Sequence, residues 1–197
     1  MPDARTIAFY DSAAERYDNL FAKGTPDADL LAFMALLPDG AAVLDLGCGP
    51  GRASVHMKEA GHTPDPVDAS QGMVDVARAN GLDARLMTFD DLDAVAAYDA
   101  VWANFSLLHA PRADLPRHFA AISTALRDGG ILHVGMKSGT GEERDSIDRQ
   151  YTYVTVDELL GLIRDAGLTV IATREGREKG FAGTDDPFVI MRARKDA

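Results

Sequence analysis

The sequence predicts an α/β chain built on a doubly wound, mainly parallel sheet, and three observations carry that expectation. Short runs rich in Val, Leu and Ile alternate with helical patterns along the 197 residues, as βαβ units require. The apolar run Val43-Leu44-Asp45-Leu46 opens directly into Gly47-Cys48-Gly49-Pro50-Gly51, and helix formers from Arg52 to Glu59 follow at once. An acid, Asp68, then stands where the second run ends, 17 residues past Gly51. Strand, glycine loop, helix, strand and acid together describe a ligand crevice at the C-terminal ends of parallel strands.

Taken in order, residues 4–22 place Phe9, Tyr10, Ala13, Tyr17 and Leu20 at helical spacing, and a second helical pattern precedes the first strand. Strands are expected near 42–46, 65–68, 84–87, 98–103, 130–137, 168–173 and 187–193, with helices near 51–60, 70–80, 112–127 and 155–166. Asp68 and Ser70 are both good caps for the helix that starts at Gln71. Arg127-Asp128-Gly129-Gly130 reads as a helix stop and turn ahead of the apolar run Ile131 to Lys137. The Gly/Thr/Asp-rich stretch 176–186 joins the last two strands as a hairpin. No repeat, low-complexity tract or linker divides the chain, so one domain over 1–197 is expected, with N-terminal helices over 1–38 and the sheet-bearing core over 39–197.

The three loop glycines remove every Cβ where the backbone turns tightly and a ligand approaches the main chain. A dinucleotide fingerprint needs glycine at position 52, which is Arg52, and no Gly-Lys-Ser/Thr ending marks a P-loop. What remains is G-x-G-x-G preceded by a carboxylate, Asp45, two residues before Gly47. This pattern resembles motif I of the class I S-adenosylmethionine-dependent methyltransferases of the small-molecule type. Asp68, the Thr88-Phe89-Asp90-Asp91-Leu92 segment and the run Tyr98 to His109 continue the resemblance, which covers Tyr10 to Lys137 well and the remainder loosely.

The resemblance implies a Rossmann-like seven-stranded sheet of order 3-2-1-4-5-7-6 with an antiparallel last strand and an N-terminal helical lid. It implies S-adenosylmethionine as cofactor, leaving as S-adenosylhomocysteine. On this reading Asp45 holds the methionine amino group, Gly47, Cys48 and Gly49 line the cofactor, and Asp68 with Ala69 fixes the ribose. Tyr17, in the lid, meets the methionine carboxylate with Arg52 adding charge beside it, Met73 covers an adenine face, and Asn104 lies beside the transferable methyl. Thr88 departs from the acid usual at its position, so the adenine contact passes to Phe89 or, in a shifted register, to Asp90. Each residue has a plainer reading: Asp68 as a helix cap, Met73 and Tyr17 as packing, Arg52 as a solvated first-turn arginine, the 88–92 segment as an acidic surface loop.

Methyl transfer from a sulfonium is an in-line displacement, to which positioning and water exclusion contribute most. His109, after the fourth strand, is the candidate base, with a structural histidine as the alternative. Tyr10, Lys137, Arg144, Arg149 and Tyr153 are candidates for binding an anionic or hydrogen-bonding acceptor, the last three from the long segment after the fifth strand. The opposing reading pairs Arg144 and Arg149 with Glu142, Glu143, Asp145 and Asp148.

A hydrophobic content of 46% suffices for a core, while a net charge of −11 repels polyanions. With no basic stripe and no Asn-Pro-Pro-Tyr-like element, nucleic acid is not the expected partner. No apolar run reaches 18 residues and the N-terminus lacks an apolar signal core, so a cytoplasmic protein without membrane association is expected. One cysteine excludes an internal disulfide, and the five histidines show no H-x-x-x-H or H-E-x-x-H spacing, so no metal is expected. The expected function is methyl transfer to a small-molecule acceptor by a monomer or homodimer. The alternatives are a non-catalytic S-adenosylmethionine-binding module, a protein-methylating enzyme, and a Rossmann-type nicotinamide oxidoreductase, the last disfavoured by Arg52.

Overall fold

The computed structural model describes residues 3–21, 24–179 and 183–196. Its main sheet contains β1 (Ala42–Leu46), β2 (Thr63–Asp68), β3 (Arg85–Leu86), β4 (Tyr98–Asn104), β5 (Leu126–Lys137), β8 (Leu168–Lys179) and β9 (Asp185–Lys195). The spatial order is β3-β2-β1-β4-β5-β9-β8, and β9 runs antiparallel to both of its neighbours. Counted within this sheet the order is 3-2-1-4-5-7-6, as the resemblance implies. A separate two-stranded hairpin of β6 (Glu142–Arg144) and β7 (Gln150–Thr152) stands in the segment read from sequence as a loop.

Strand alternation sends successive side chains to opposite faces, and here both faces of the parallel strands are buried. Leu44, Val101, Leu132 and Val134 face α5 (Leu115–Ala125) and α6 (Val156–Asp165), meeting Phe119, Ile122, Leu159 and Ile163. Val43, Ala100, Trp102 and Ile131 face the other way, against Leu30 and Phe33 of α2 (Ala28–Met34) and Met57 of α3 (Arg52–Glu59). Helix α2 is two turns long. It covers this second face as far as Trp102 and His133, whose rings lie 5.1 and 5.9 Å from Phe33, and a cavity opens beyond.

The helical stripe near the N-terminus forms α1 (Ala4–Phe21), which packs across α4 (Gln71–Ala79). Asp11 accepts from Ser70 Oγ at 2.6 Å and from the Gly72 amide at 3.1 Å, and a Cβ on Gly72 would lie 2.7 Å from the Asp11 carbonyl oxygen. At its other end α1 holds the β6–β7 hairpin, with Thr6 Oγ1 accepting from the Gln150 amide at 2.8 Å and Asp3 paired with Arg144. The side chain of Leu20 and residue 22, both within the expected stripe, fall outside the described residues, as do residues 180–182 of the stretch expected to join the last two strands.

Several elements differ in extent from the sequence reading. β5 begins at Leu126, and its register jumps from Tyr98↔Leu126 to Ala100↔Ile131. The Arg-Asp-Gly-Gly turn is thus extruded as a bulge inside the strand, with Gly129 at φ +76°. β3 shrinks to two residues, the helix expected from 112 begins at Leu115 after a 3₁₀ turn, and β8 and β9 run on to 179 and from 185. Among the described residues no helix is long and apolar enough to cross a membrane.

Candidate active site

A cavity of about 970 Å³ runs along the C-terminal edge of the sheet. That is near the top of the roughly 300–1,000 Å³ range of small-molecule sites. Its floor begins at the glycine loop, where Gly47, Gly49 and Gly51 have φ of +79°, +54° and +79°. A Cβ on Gly47 would sit 2.4 Å from Ser106 Cβ, and one on Gly51 would sit 2.2 Å from Leu82 Cδ1. Gly49 is different: a Cβ there would meet no protein atom within 4 Å, so bare main chain faces open space. The Gly47 and Cys48 amides both donate to the Val67 carbonyl at 2.9 Å, which pins the loop to β2. Cys48 is buried in the loop, and burial pushes its thiol pKa up, so it is a packed small residue and a poor nucleophile.

Two carboxyl groups flank the loop. Asp45, 2% exposed, accepts from Ser54 Oγ at 2.7 Å. Burial pushes its carboxyl up to about 7, opposed by the Ser54 hydrogen bond and reinforced by the charge of Asp68. Asp68 accepts from the amides of Gly49 at 2.8 Å and Ser70 at 2.9 Å, and burial still raises its pKa. The helix cap is Ser70, whose Oγ accepts from the Met73 amide at 3.1 Å, so Asp68 is left to tie the end of β2 to the loop. Ala69 and Met73 line the cavity beside it. Two acids that resist ionisation, one buried and one half-buried, with bare main chain between them, fit a ligand that brings an ammonium and hydroxyl donors.

The lid helix closes one side with Tyr10 and Tyr17, whose rings lie edge-on at 6.0 Å. Tyr10 OH lies 2.8 Å from His109 Nε2, and Arg149 Nη1 donates to the same hydroxyl at 3.0 Å. His109 Nδ1 meets the Gln150 carbonyl at 2.7 Å, and a carbonyl can only accept, so the proton is on Nδ1. Burial lowers the His109 pKa to about 4, the ring is neutral, and Nε2 accepts from Tyr10. Arg52 is drawn to the lid as well, donating through Nη2 to the Asp18 carboxylate at 2.6 Å and carbonyl at 2.7 Å.

At the far end of β3, Thr88 and Asp91 form a reciprocal capping box around the 3₁₀ turn Phe89–Asp91, with Thr88 N and Oγ1 donating to Asp91 Oδ2 at 2.9 and 2.7 Å. That occupies the Thr88 side chain and leaves Phe89 and Asp90 on the cavity wall. Asp90 there accepts from Arg117 at 2.8 Å and lies 3.7 Å from His118 Nε2.

The remaining wall lies over β4, β5 and β9. Phe105, with φ of +55°, bends the chain out of β4 just after Asn104, which faces the cavity. Of the acceptor candidates, Tyr10, Lys137 and Arg149 line the cavity, while Arg144 and Tyr153 do not. All three basic candidates are internally paired: Lys137 with Asp186, Arg149 with Asp145, and Arg144 with Asp3 and Asp148. Asp3 was not among the partners expected for Arg144, because it comes from the other end of the chain. The sequence reading missed three charged residues of this wall, Asp29, Arg174 and Arg192. The signal that would have found Arg192 is its place inside the apolar run Phe188 to Ala193.

A family model described as a methyltransferase domain matches residues 43–130. Among curated relatives, a cypemycin N-terminal methyltransferase from a Streptomyces species is 29% identical over 177 residues, 85% of this chain and 70% of that one. A ubiquinone biosynthesis O-methyltransferase from Xanthomonas axonopodis pv. citri is 34% identical over 113 residues, 53% of this chain and 46% of that one. The chain spans about half the length of most of the curated relatives it matches. Among solved structures, the Burkholderia thailandensis 1,6-didemethyltoxoflavin-N1-methyltransferase, with bound 1,6-didemethyltoxoflavin and S-adenosylhomocysteine, shares the fold with a TM-score of 0.75. That match covers 98% of this chain and 88% of the other at 24% identity.

Proposed function

We propose that the chain is a class I S-adenosylmethionine-dependent methyltransferase, as its similarities suggest, and that it moves the methyl group of S-adenosylmethionine to a small-molecule acceptor by in-line displacement. The observation that carries the proposal is a pair of acids with raised pKa, the buried Asp45 and the half-buried Asp68, on either side of the bare main chain at Gly49. Asp45 receives the methionine ammonium, and Asp68 with Ala69 receives the ribose hydroxyls. Gly47, Cys48 and Gly49 lie along the cofactor, and Asn104 lies beside the methyl. Tyr17 and Arg52 meet the methionine carboxylate, and Met73, Phe89 and Asp90 enclose the adenine.

The cofactor supplies an electrophilic methyl group: its S–C bond breaks, the electron pair goes to sulfur, and an acceptor lone pair makes the new bond. The protein's part is to align the two reactants and exclude water, for which the α1 lid and the β6–β7 hairpin are placed. His109 is proposed to position Tyr10 rather than to take a proton, because its Nε2 lone pair is engaged and its pKa lies near 4. The relatives named above are, by their names, N- and O-methyltransferases, so the acceptor atom is not assigned from them. A net charge of −11 argues against a polyanionic acceptor.

Calorimetry with S-adenosylhomocysteine, run on the wild type and on Asp68→Ala, tests the reading. Micromolar binding that weakens at least tenfold in the variant, about 1.4 kcal/mol or more, is expected. A wild type that gives no binding by calorimetry or by a second method overturns it and makes nicotinamide cofactors the next ligands. Binding without consumption of S-adenosylmethionine across an acceptor panel of amines, phenols, thiols and carboxylates would favour the non-catalytic binding module.

A further inference from the structure

On the cavity wall away from the glycine loop, three neighbouring strands place polar groups on one face. Trp102 pairs with His133 across β4 and β5, His133 pairs with Arg192 across β5 and β9, and Asn104 follows Trp102 two residues on. Asn104 and Arg192 therefore stand on either side of His133.

Arg192 differs from Arg174, Lys137 and Arg149. Arg174 binds Asp29 through two nitrogens, Lys137 binds Asp186, and Arg149 binds Asp145 and Tyr10. The Arg192 guanidinium has no hydrogen bond among the described residues, and its nearest carboxylate oxygen, Asp29 Oδ1, is 3.9 Å away and already engaged by Arg174. Asp29 is spent on Arg174, and Asp27 and Glu178 also act on Arg174, so the local carboxylates are gathered around that arginine. The Arg192 side chain is 14% exposed, so most of its hydration has been given up with no fixed acceptor in return.

Asn104 adds a second unanswered donor. His133 is fully buried, stacked on Trp102 at 3.7 Å, with Nε2 3.1 Å from Asn104 Oδ1 and no partner for Nδ1. A buried lone pair without a partner costs less than a buried N–H without one, so the proton sits on Nε2 and Asn104 turns its oxygen to it. Gly135 fits that orientation, since a Cβ there would lie 2.6 Å from the same oxygen. The Asn104 amide N–H₂ has no partner among the described residues and Asn104 lines the cavity. Arg192 and Asn104 therefore offer donors without fixed acceptors, a guanidinium fork and an amide, beside the apolar surfaces of Ile190 and Phe188.

We propose that the methyl acceptor is a small molecule bearing a carboxylate, which Arg192 pairs with through its fork while Asn104, held by His133, donates a further hydrogen bond. The assignment of this ligand as methyl acceptor rests on the methyltransferase reading, while the anion cradle itself does not. A guanidinium matches a carboxylate bidentately, whereas an ammonium ligand would meet a like charge here.

Trp102 is the chain's single tryptophan, so its emission reports on this wall. Benzoate, benzamide and benzylamine are titrated against that emission with and without S-adenosylhomocysteine. Benzoate is expected to bind saturably and at least tenfold more tightly than its amide. Arg192→Gln is expected to erase that preference while leaving S-adenosylhomocysteine affinity within twofold. Arg192→Lys keeps the charge and the fold but loses the fork, and is expected to weaken benzoate severalfold. Equal binding of the three probes, preference for benzylamine, no saturable benzoate signal, or a benzoate preference that survives both variants would each overturn the proposal. A wild type that binds benzoate but not S-adenosylhomocysteine would overturn the methyltransferase reading and leave the cradle standing.

Discussion

The two ends of the cavity are built from different materials. Between β1 and α4 the surface is mostly main chain: three glycines in the left-handed region, amides aimed at Val67 and Asp68, and two carboxyl groups, Asp45 buried and Asp68 half-buried. Across the cavity, the face of β4, β5 and β9 is mostly side chain, a Trp–His stack with an amide on one side and an arginine on the other. Main chain cannot be exchanged residue by residue, so the first end suits a ligand that never changes. Side chains can be exchanged singly without moving the strands that carry them, which suits the end that must select one acceptor from many.

This contrast fixes where substitutions should be severe. Gly47→Ala places a Cβ 2.4 Å from Ser106 Cβ at a φ of +79°, so the β1–α3 turn or the chain after β4 must move. The expected result is a loss of S-adenosylhomocysteine affinity of at least a hundredfold together with a lower thermal midpoint. Gly135→Ala is its counterpart on the acceptor wall, where the crowded atom is the Asn104 side-chain oxygen, 2.6 Å away, and a rotation relieves it. S-adenosylhomocysteine affinity should stay within about threefold of wild type, while benzoate binding weakens. Equal effects of the two substitutions on cofactor affinity, measured by calorimetry, would erase the distinction between the ends.

The pH response sharpens the same contrast. Asp45 is raised in the folded protein from 3.8 to about 7, so between those values the native state holds more protons than the unfolded chain. Stability of the ligand-free protein should therefore fall as pH rises from about 4 to 7 and level off above. A bound ammonium favours the ionised carboxylate, so binding releases a proton below pH 7. S-adenosylhomocysteine affinity should drop about tenfold between pH 8 and pH 6, in step with the ionised fraction of a group titrating near 7. Asp45→Asn should flatten most of that dependence, with the raised Asp68 accounting for any remaining slope. Asp45 and Asp68 lie at the other end of the cavity from Arg192, so benzoate binding to the ligand-free protein should change far less over the same interval.

How much was legible in the sequence follows the same division. The glycine loop, Asp45, Asp68 and the parallel strands are local signals: each is a short run in which residue type and spacing state the backbone conformation needed. The β6–β7 hairpin was read as a loop because Glu142-Glu143-Arg144 has no strand alternation, and contacts with Thr6 of α1 and with Asp3 just before it hold it instead. Arg144 and Arg149 were read correctly as capable of internal pairing, but the choice of Asp3 for Arg144 spans nearly the whole chain. Arg192 carried a signal, a charge inside an apolar run, whose meaning depended on which strand lies next to β5. Only the sheet order places it beside His133.

The smallest expected effect lies where the sequence departs from the family it resembles, at Thr88. Because its hydroxyl is spent on Asp91, Thr88→Ala should loosen the 3₁₀ turn that presents Phe89 and Asp90 and leave no adenine contact of its own to lose. The cost in stability is that of a lost cap, about 1 kcal/mol. The loss of S-adenosylhomocysteine affinity should be about threefold, smaller than that of Asp90→Ala measured alongside. A tenfold or larger loss at Thr88 with no change in thermal midpoint would mean that the hydroxyl itself faces the adenine. Thr88 would then hold the position of the usual acid despite the change of residue, and the main-chain end of the cavity would contain a selectable side chain after all.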